Sequence, residues 1–271
     1  MSFDAARFQA LVAERRLPFG TPLVVRTLTG STNDDALAAA REGAPEGALF
    51  VADAQTEGRG RRGNAWYAEP GCGLLFSLLL RPLLPLARSS ALSLVAGLAV
   101  RACVSRLLDV RAKSSHPVLV KWPNDIVVAG RKLCGVLVES QVRGSALGAV
   151  VVGVGLNVGL GNMPDELRNR ATSLATLGLH GVEPELVLAE FVEAFAPRLA
   201  AFCSDAGEAV AELDAYDALR GKRVQVSGVE GVGAGIDSHG RLLVMDDAGR
   251  RHAVTAGEVA GVPCDPLGNE A

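Results

Sequence analysis

Residues Gly73 to Leu80 read as one continuous apolar strand, and Leu147 to Val158 as a second with glycines in it. Runs of this length and character call for a buried sheet. A long apolar helix is predicted between them, Leu83 to Leu108, capped by Ser89 or Ser90, with Leu94, Leu98 and Ala102 on one face. The most apolar region, Gly71 to Val100, is broken by Arg81, Pro82, Pro85 and Arg88, so no membrane span is expected there. With 271 residues, 49% of them hydrophobic, the chain has material for one large domain, or one large and one small. A net charge of −3 gives no global basic field and no reason to expect a nucleic-acid partner, so any anion binding must be local. Cys72, Cys103, Cys134, Cys203 and Cys264 stand far apart without a CxxC pair, and the four histidines are scattered. That pattern argues against disulfides and zinc and for a reducing compartment. The N-terminus has an early acid and no apolar run, unlike a signal peptide, so a cytoplasmic protein is expected.

The remaining elements follow from periodicity. Residues 3–15 predict an amphipathic helix, and Pro22 to Leu28 a strand. Ser31 or Thr32 begins a helix running to about Gly43, with an acid three residues on as in a capping box. Ala48 to Ala52 predicts a second strand. Pro117 to Trp122 predicts another, ending at Pro123, and Ile126 to Glu139 a hairpin turning at Ala129-Gly130-Arg131. Residues 184–219 predict helix, with a kink or break at Pro197. From about Gly221 the pattern changes to short β segments separated by glycines, as in a small barrel.

Five motifs could carry chemistry. The stretch Gln55-Thr-Glu-Gly-Arg-Gly-Arg-Arg-Gly63 places three arginines among three glycines in its last six residues. Glycine permits close backbone approach, and arginine brings a fork of donors matched to carboxylate and phosphate. Such a loop suits an anionic ligand, or serves only as a solvated basic turn. Lys121-Trp-Pro-Asn124-Asp125 puts two polar side chains at a strand end, and is also a good turn. Gly130-Arg-Lys132-Leu-Cys-Gly135 sets a lysine at the rim of a buried strand, with Gly135 leaving room above the sheet for a ligand. Gly153-Val-Gly155-Leu-Asn157 lacks the third glycine of a dinucleotide fingerprint, but Asn157 is a polar residue that needs a partner if buried. In Gly30-Ser31-Thr32-Asn33 the hydroxyls and the amide can cap a helix and also face a pocket.

Taken in order (STN, Q-x₂-GRGRRG-x₂-W, KWPND, GRKLxG, GVGLN) the motifs resemble those of the biotin–protein ligases, biotin–[acetyl-CoA-carboxylase] ligase. The match runs from about Gly30 to Asn157, and Gly233-Ala-Gly-Ile236-Asp and Ala256-Gly-Glu258-Val259 look like that family's C-terminal domain. The resemblance implies an α+β fold: a mixed sheet with packed helices like the class II aminoacyl-tRNA synthetase core over residues 1–220, then an SH3-like barrel over 221–271. It implies an enzyme that uses ATP and Mg2+ to make biotinyl-5'-AMP, then passes biotin to a lysine of a biotin carboxyl carrier protein. Ser31, Thr32, Asn33, Gln55 and Gly135 would contact biotin. Arg59, Gly60 and Arg61 would close over its carboxylate and the phosphate, and Lys132 would contact both anions. Trp66, Asn124 and Asn157 would lie on the nucleotide side, with Asp125 near the magnesium. Relatives in the family often dimerise through the sheet edge, so a homodimer is possible.

Two departures stand out. About thirty residues precede Ser31, too few for the N-terminal winged helix-turn-helix that some members carry, so the ligase-only form is expected. Asn64 stands where a basic residue is frequent. The competing readings are a lipoate ligase or acyltransferase of the same superfamily, and a biotin-sensing regulator without turnover.

Overall fold

The computed structural model describes residues 2–112, 116–143, 146–205 and 207–260; Cys264 and the end of the expected C-terminal unit lie outside them. Helix α1, Ala5–Arg15, starts where Asp4 accepts the Arg7 N–H at 2.9 Å and stops at Arg16 in the left-handed region, burying Phe8 and Leu11. The parallel pair β1 (Leu23–Thr29) and β2 (Leu49–Gln55) is joined by α2 (Thr32–Arg41). Strand β3 (Gly73–Leu80) precedes α3 (Leu92–Leu107). Then follow β4 (Val118–Lys121), β5 (Asp125–Val128), β6 (Arg131–Arg143) and β7 (Ala146–Asn157), all antiparallel to their neighbours. The seven strands form one mixed sheet in the order β1-β2-β3-β7-β6-β5-β4. Ala129 and Gly130, both at positive φ, make the tight turn between β5 and β6.

Alternation along the strands sorts the two faces of this sheet. Leu74, Phe76, Leu78 and Leu80 of β3 and Val150, Val152, Val154 and Leu156 of β7 join one core with α1, α3 and the later helix α5, Pro184–Ser204. Phe76 meets Phe191 of α5 edge-on, with ring centroids 5.0 Å apart. On the opposite face, Leu79, Ala149 and Val151 pack under α2. The apolar strands are thus buried from both sides. Ser77, inside β3, breaks the expected unbroken run and faces α2 with no exposed surface.

Other expectations are corrected. Residues Leu86–Ala91 form a 3₁₀ turn before α3, whose N-cap is Ala91; Ser89 Oγ donates instead to the Leu86 carbonyl inside that turn. Ser31 stands at the N-cap of α2 but makes no capping bond, and the acid three residues on, Asp34, is drawn to Arg59. Helix α5 runs through the exposed Pro197 without a break. The interruption comes after Ser204, before α6 (Gly207–Tyr216). A short helix, α4 (Asp165–Arg168), lies between β7 and α5. By length and composition the segment 86–111 could cross a membrane, but 78% of its most apolar 18-residue window is buried inside the protein.

The C-terminal strands β8 (Arg223–Val226), β9 (Val229–Ile236), β10 (Leu242–Met245) and β11 (Arg251–Val254) form a four-stranded antiparallel sheet. Its inward residues Val224, Ile236, Leu242 and Val244 share a core with Leu94 and Leu98 of α3 and with Trp122. The Trp122 indole, almost fully buried, donates to the Gly240 carbonyl at 2.9 Å. The tryptophan of the KWPND motif therefore fastens the small sheet to the large one.

Candidate active site

The pocket-facing side of the sheet ends in glycine. Continuing the alternation past Val151 and Leu79 puts Gly153, Gly155 and Asn157 of β7, Gly135 and Glu139 of β6, and Ser77 of β3 on one face. Each glycine is there because something lies on it. A Cβ at Gly153 would collide with Asn33 Oδ1, and one at Gly155 with the Trp66 indole. Gly135, paired with Gly155 across the strands, would also touch Trp66, at 3.0 Å. Above this floor opens a cavity of about 700 Å³.

At one end of the cavity, polar groups bind one another. Gln55 Oε1 accepts the Thr32 N–H at 2.7 Å and lies 3.1 Å from its hydroxyl. Ser77 Oγ stands 2.7 Å from Thr32 Oγ1 and 2.6 Å from Asn33 Oδ1, and its single proton serves one of them at a time. The Asn33 amide donates to Glu139 at 2.7 Å. Glu139 and Asp34 share the Arg59 guanidinium, with both ion pairs under 3 Å. Burial acts to lower the Arg59 pKa, but the hydrogen bond to Asp34 and the charges of Glu139 and Asp34 outweigh it and leave it raised.

The glycine-arginine stretch is a small hairpin. Trp66 N–H donates to Gly58, Gly60 N–H to Asn64, and Arg59 bridges to Ala65. Gly58 is needed because a Cβ there would meet the Trp66 carbonyl at 2.6 Å. At the tip, Arg61–Gly63 turns in a 3₁₀ bend with Arg62 in the left-handed region. Arg61 has no hydrogen bond or ion pair from its side chain among the described residues. Burial pushes its pKa below the ordinary arginine value, Asp125 pulls the other way, and Arg62 adds to the lowering.

At the other end, Lys132 Nζ lies 2.7 Å from Asp125 Oδ1, an ion pair off the line a hydrogen bond needs, and 5.4 Å from the Trp66 ring centre. The buried Trp66 Nε1–H has no acceptor among the described residues. The backbone of Lys132 is clamped by Arg170 and Thr172. Asn124 donates to the Val136 carbonyl at 2.8 Å and Asn157 to the Thr172 carbonyl at 3.0 Å, so both amides hold backbone around the cavity. All thirteen residues singled out in the sequence thus line one cavity. Sequence reasoning passed over Ser77, Glu139 and Asp34 in the network, and Arg62, Lys121, Arg170 and Gly257–Val259 along the wall. Ser77 carried a signal: it is the one polar residue in its run.

Comparison with known proteins places this architecture. The profile of the Biotin/lipoate A/B protein ligase family matches residues 27–157. The biotin--[acetyl-CoA-carboxylase] ligase of Mycobacterium tuberculosis is 36% identical over 238 residues, 85% of each chain. The bifunctional ligase/repressor BirA of Bacillus spizizenii is 31% identical over 244 residues, 88% of this chain and 73% of that one. Among solved structures, the biotin protein ligase from Aquifex aeolicus in complex with biotin and ATP superposes with a TM-score of 0.75 at 27% identity, covering 89% of this chain and 98% of that one. With a relative 36% identical over 85% of each chain, and the mixed sheet and helices matched, the chain belongs to the biotin protein ligases.

Proposed function

We propose that this cavity joins biotin to AMP and passes the biotinyl group to a lysine of a biotin carboxyl carrier protein. The observation that carries the reading is the combination of Arg61, whose side chain has no hydrogen bond or ion pair among the described residues, and the rim cation Lys132 with a polar network at the far end. Adenylation brings one anion, a carboxylate, against another, the α-phosphate, with pyrophosphate leaving. Cations must neutralise both before they meet, and positioning with electrostatics carries most of such catalysis. Arg61 and Lys132 stand where they can do this. Ser31, Thr32, Asn33 and Gln55 orient the ureido end of biotin, and the Gly135–Gly155 floor admits flat groups beside Trp66. Trp66, Asn124 and Asn157 form the nucleotide side. In the second step the carrier's neutral ε-amine attacks the biotinyl carbonyl, AMP departs with the bonding pair, and a proton is lost from the new amide. The mixed anhydride hydrolyses easily, so the hairpin's cover over the cavity serves to keep water out until the carrier arrives.

Magnesium would be held in this site through Asp125. No group of three or more potential metal ligands occurs among the described residues, but Asp125 is a carboxylate at the cavity wall. One carboxylate with phosphate oxygens and water is a usual magnesium environment. Bound there, the ion would offset phosphate charge. We take residues 1–220 as the catalytic unit, resembling the class II synthetase core, and 221–271 as an SH3-like accessory unit that lends Gly257–Val259 to the cavity wall. A homodimer through the exposed β1 edge is compatible with the sheet order.

The test is to incubate the protein with ATP, magnesium, labelled biotin and a biotin carboxyl carrier domain, beside a parallel lipoate reaction. Label is expected on the carrier lysine. Transfer of lipoate without biotin would overturn the reading, as would biotin binding without turnover.

A further inference from the structure

We propose that Arg59 is the latch of the hairpin, positioning it by bridging Asp34 of α2 and Glu139 of β6, and that neutralising ligand anions falls to Arg61 and Lys132 instead. The inference rests on the adenylation reading above and divides labour among arginines that the sequence does not tell apart. Arg59 Nη2 lies 2.8 Å from Asp34 Oδ1 and 2.9 Å from Glu139 Oε2, and Nη1 lies 2.9 Å from Asp34 Oδ2. Two carboxylates against one guanidinium leave a net negative charge, so an incoming ligand carboxylate is repelled there rather than drawn in. The catch of the latch is held rigidly. Glu139 Oε2 also accepts from Asn33, Asn33 is held in turn by the buried Ser77, and Gly153 leaves the room this asparagine needs.

Position along the hairpin supports the same division. Arg59 is in the stem, where it bridges to Ala65, so fixing its head group fixes both strands of the hairpin. Arg61 is at the tip, with no partner for its side chain among the described residues. Opening the hairpin breaks the Arg59 pairs; closing it restores them and sets Arg61 over the cavity. The latch also touches the network that reaches Thr32 and Gln55, so occupancy of that end is felt at the stem.

Trypsin reads the latch directly, because it cleaves after Arg61 and Arg62 only when the hairpin opens. Cleavage there, followed by mass spectrometry without ligand, is expected to quicken about fivefold in Glu139→Gln and in Arg59→Gln, with no further gain in the double variant. Asp34→Ala, at an exposed side chain, gives the same test with little risk to folding. Cleavage at the wild-type rate in all three single variants overturns the latch. This arm needs no biotin, so it stands apart from the functional reading. The second arm is kinetic: Glu139→Gln should raise the KM for biotin and speed escape of the adenylate. If Arg59 instead served the ligand, removing its competing carboxylate would lower that KM, and this result would overturn the division.

Discussion

The two ends of the cavity are built on opposite principles. At the Gln55–Thr32–Ser77–Asn33–Glu139 end, each named polar group is bound to another protein group, so the network holds its own geometry. At the Arg61–Lys132–Asp125 end, cations stand with few or no partners among the described residues, and the Trp66 indole N–H has none there. A satisfied network holds a shape and suits recognition of a neutral polar ring. An unsatisfied set of charges stores desolvation that a ligand's anions relieve, and suits catalysis. The difference teaches that arginine count alone does not locate the chemistry. Arg59 and Arg61 are two residues apart, yet their pKa values are pushed in opposite directions by their surroundings.

The largest effect that would test this contrast is expected at Lys132. Lys132→Ala should slow adenylate formation by roughly 10²–10³-fold, the usual result of removing one preorganised charge partner from a developing transition state. Single-turnover release of pyrophosphate measures it. A rate within twofold of wild type would remove Lys132 from the catalytic end. Next in size is Arg61→Gly, which should let biotinyl-AMP escape about tenfold faster and label nearby lysines indiscriminately, as expected when a cover loses its anchor to the ligand. Labelling confined to the carrier would show that the tip does not retain the intermediate. The tip is also expected to be mobile without ligand, so biotin and ATP should protect it from trypsin.

Ser77→Ala attacks the other end. It leaves the Asn33 carbonyl without its donor in a fully buried place, which costs about 1–2 kcal/mol. The KM for biotin should rise several-fold while the rate of the bound complex changes little. A fall in kcat with unchanged KM would break the division between recognition and chemistry.

How much of this was legible in the sequence differs between the ends. The Arg61–Lys132 end was visible in dense local motifs, each open to a structural reading by itself and pointing to one family only in combination and order. Most elements followed from periodicity, including both apolar strands. The polar network did not, because its members come from α2, β2, β3 and β6, and only sheet register brings them together. Asn124 and Asn157 stood out in the sequence as polar residues at strand ends, but their backbone-carbonyl partners did not, since such a partner leaves no trace in sequence. The capping-box reading of Asp34 failed for a related reason: its carboxylate takes the long-range ion pair to Arg59 instead of a local bond.

The smallest effect is expected away from both ends, and it tests whether the cavity or its support governs acid behaviour. Asp217 follows α6 and bridges to Val120, next to the cavity residue Lys121. One of its oxygens accepts the Leu219 N–H at 2.9 Å, and the other is buried without a partner among the described residues. Burial, chiefly, raises its pKa to about 6 from 3.8. A group whose pKa is higher in the folded than in the unfolded state binds its proton more tightly when folded. Its contribution to stability is therefore complete below the unfolded value and is lost as pH rises through the folded one. Stability should thus increase by about 1 kcal/mol from pH 7 to pH 5 on this account, a shift of a few degrees in Tm. Asp217→Asn, which resembles the protonated form, should abolish that gain. If the gain survives in Asp217→Asn and vanishes instead in Glu139→Gln, the network end is electrostatically strained, and the contrast drawn between the two ends fails.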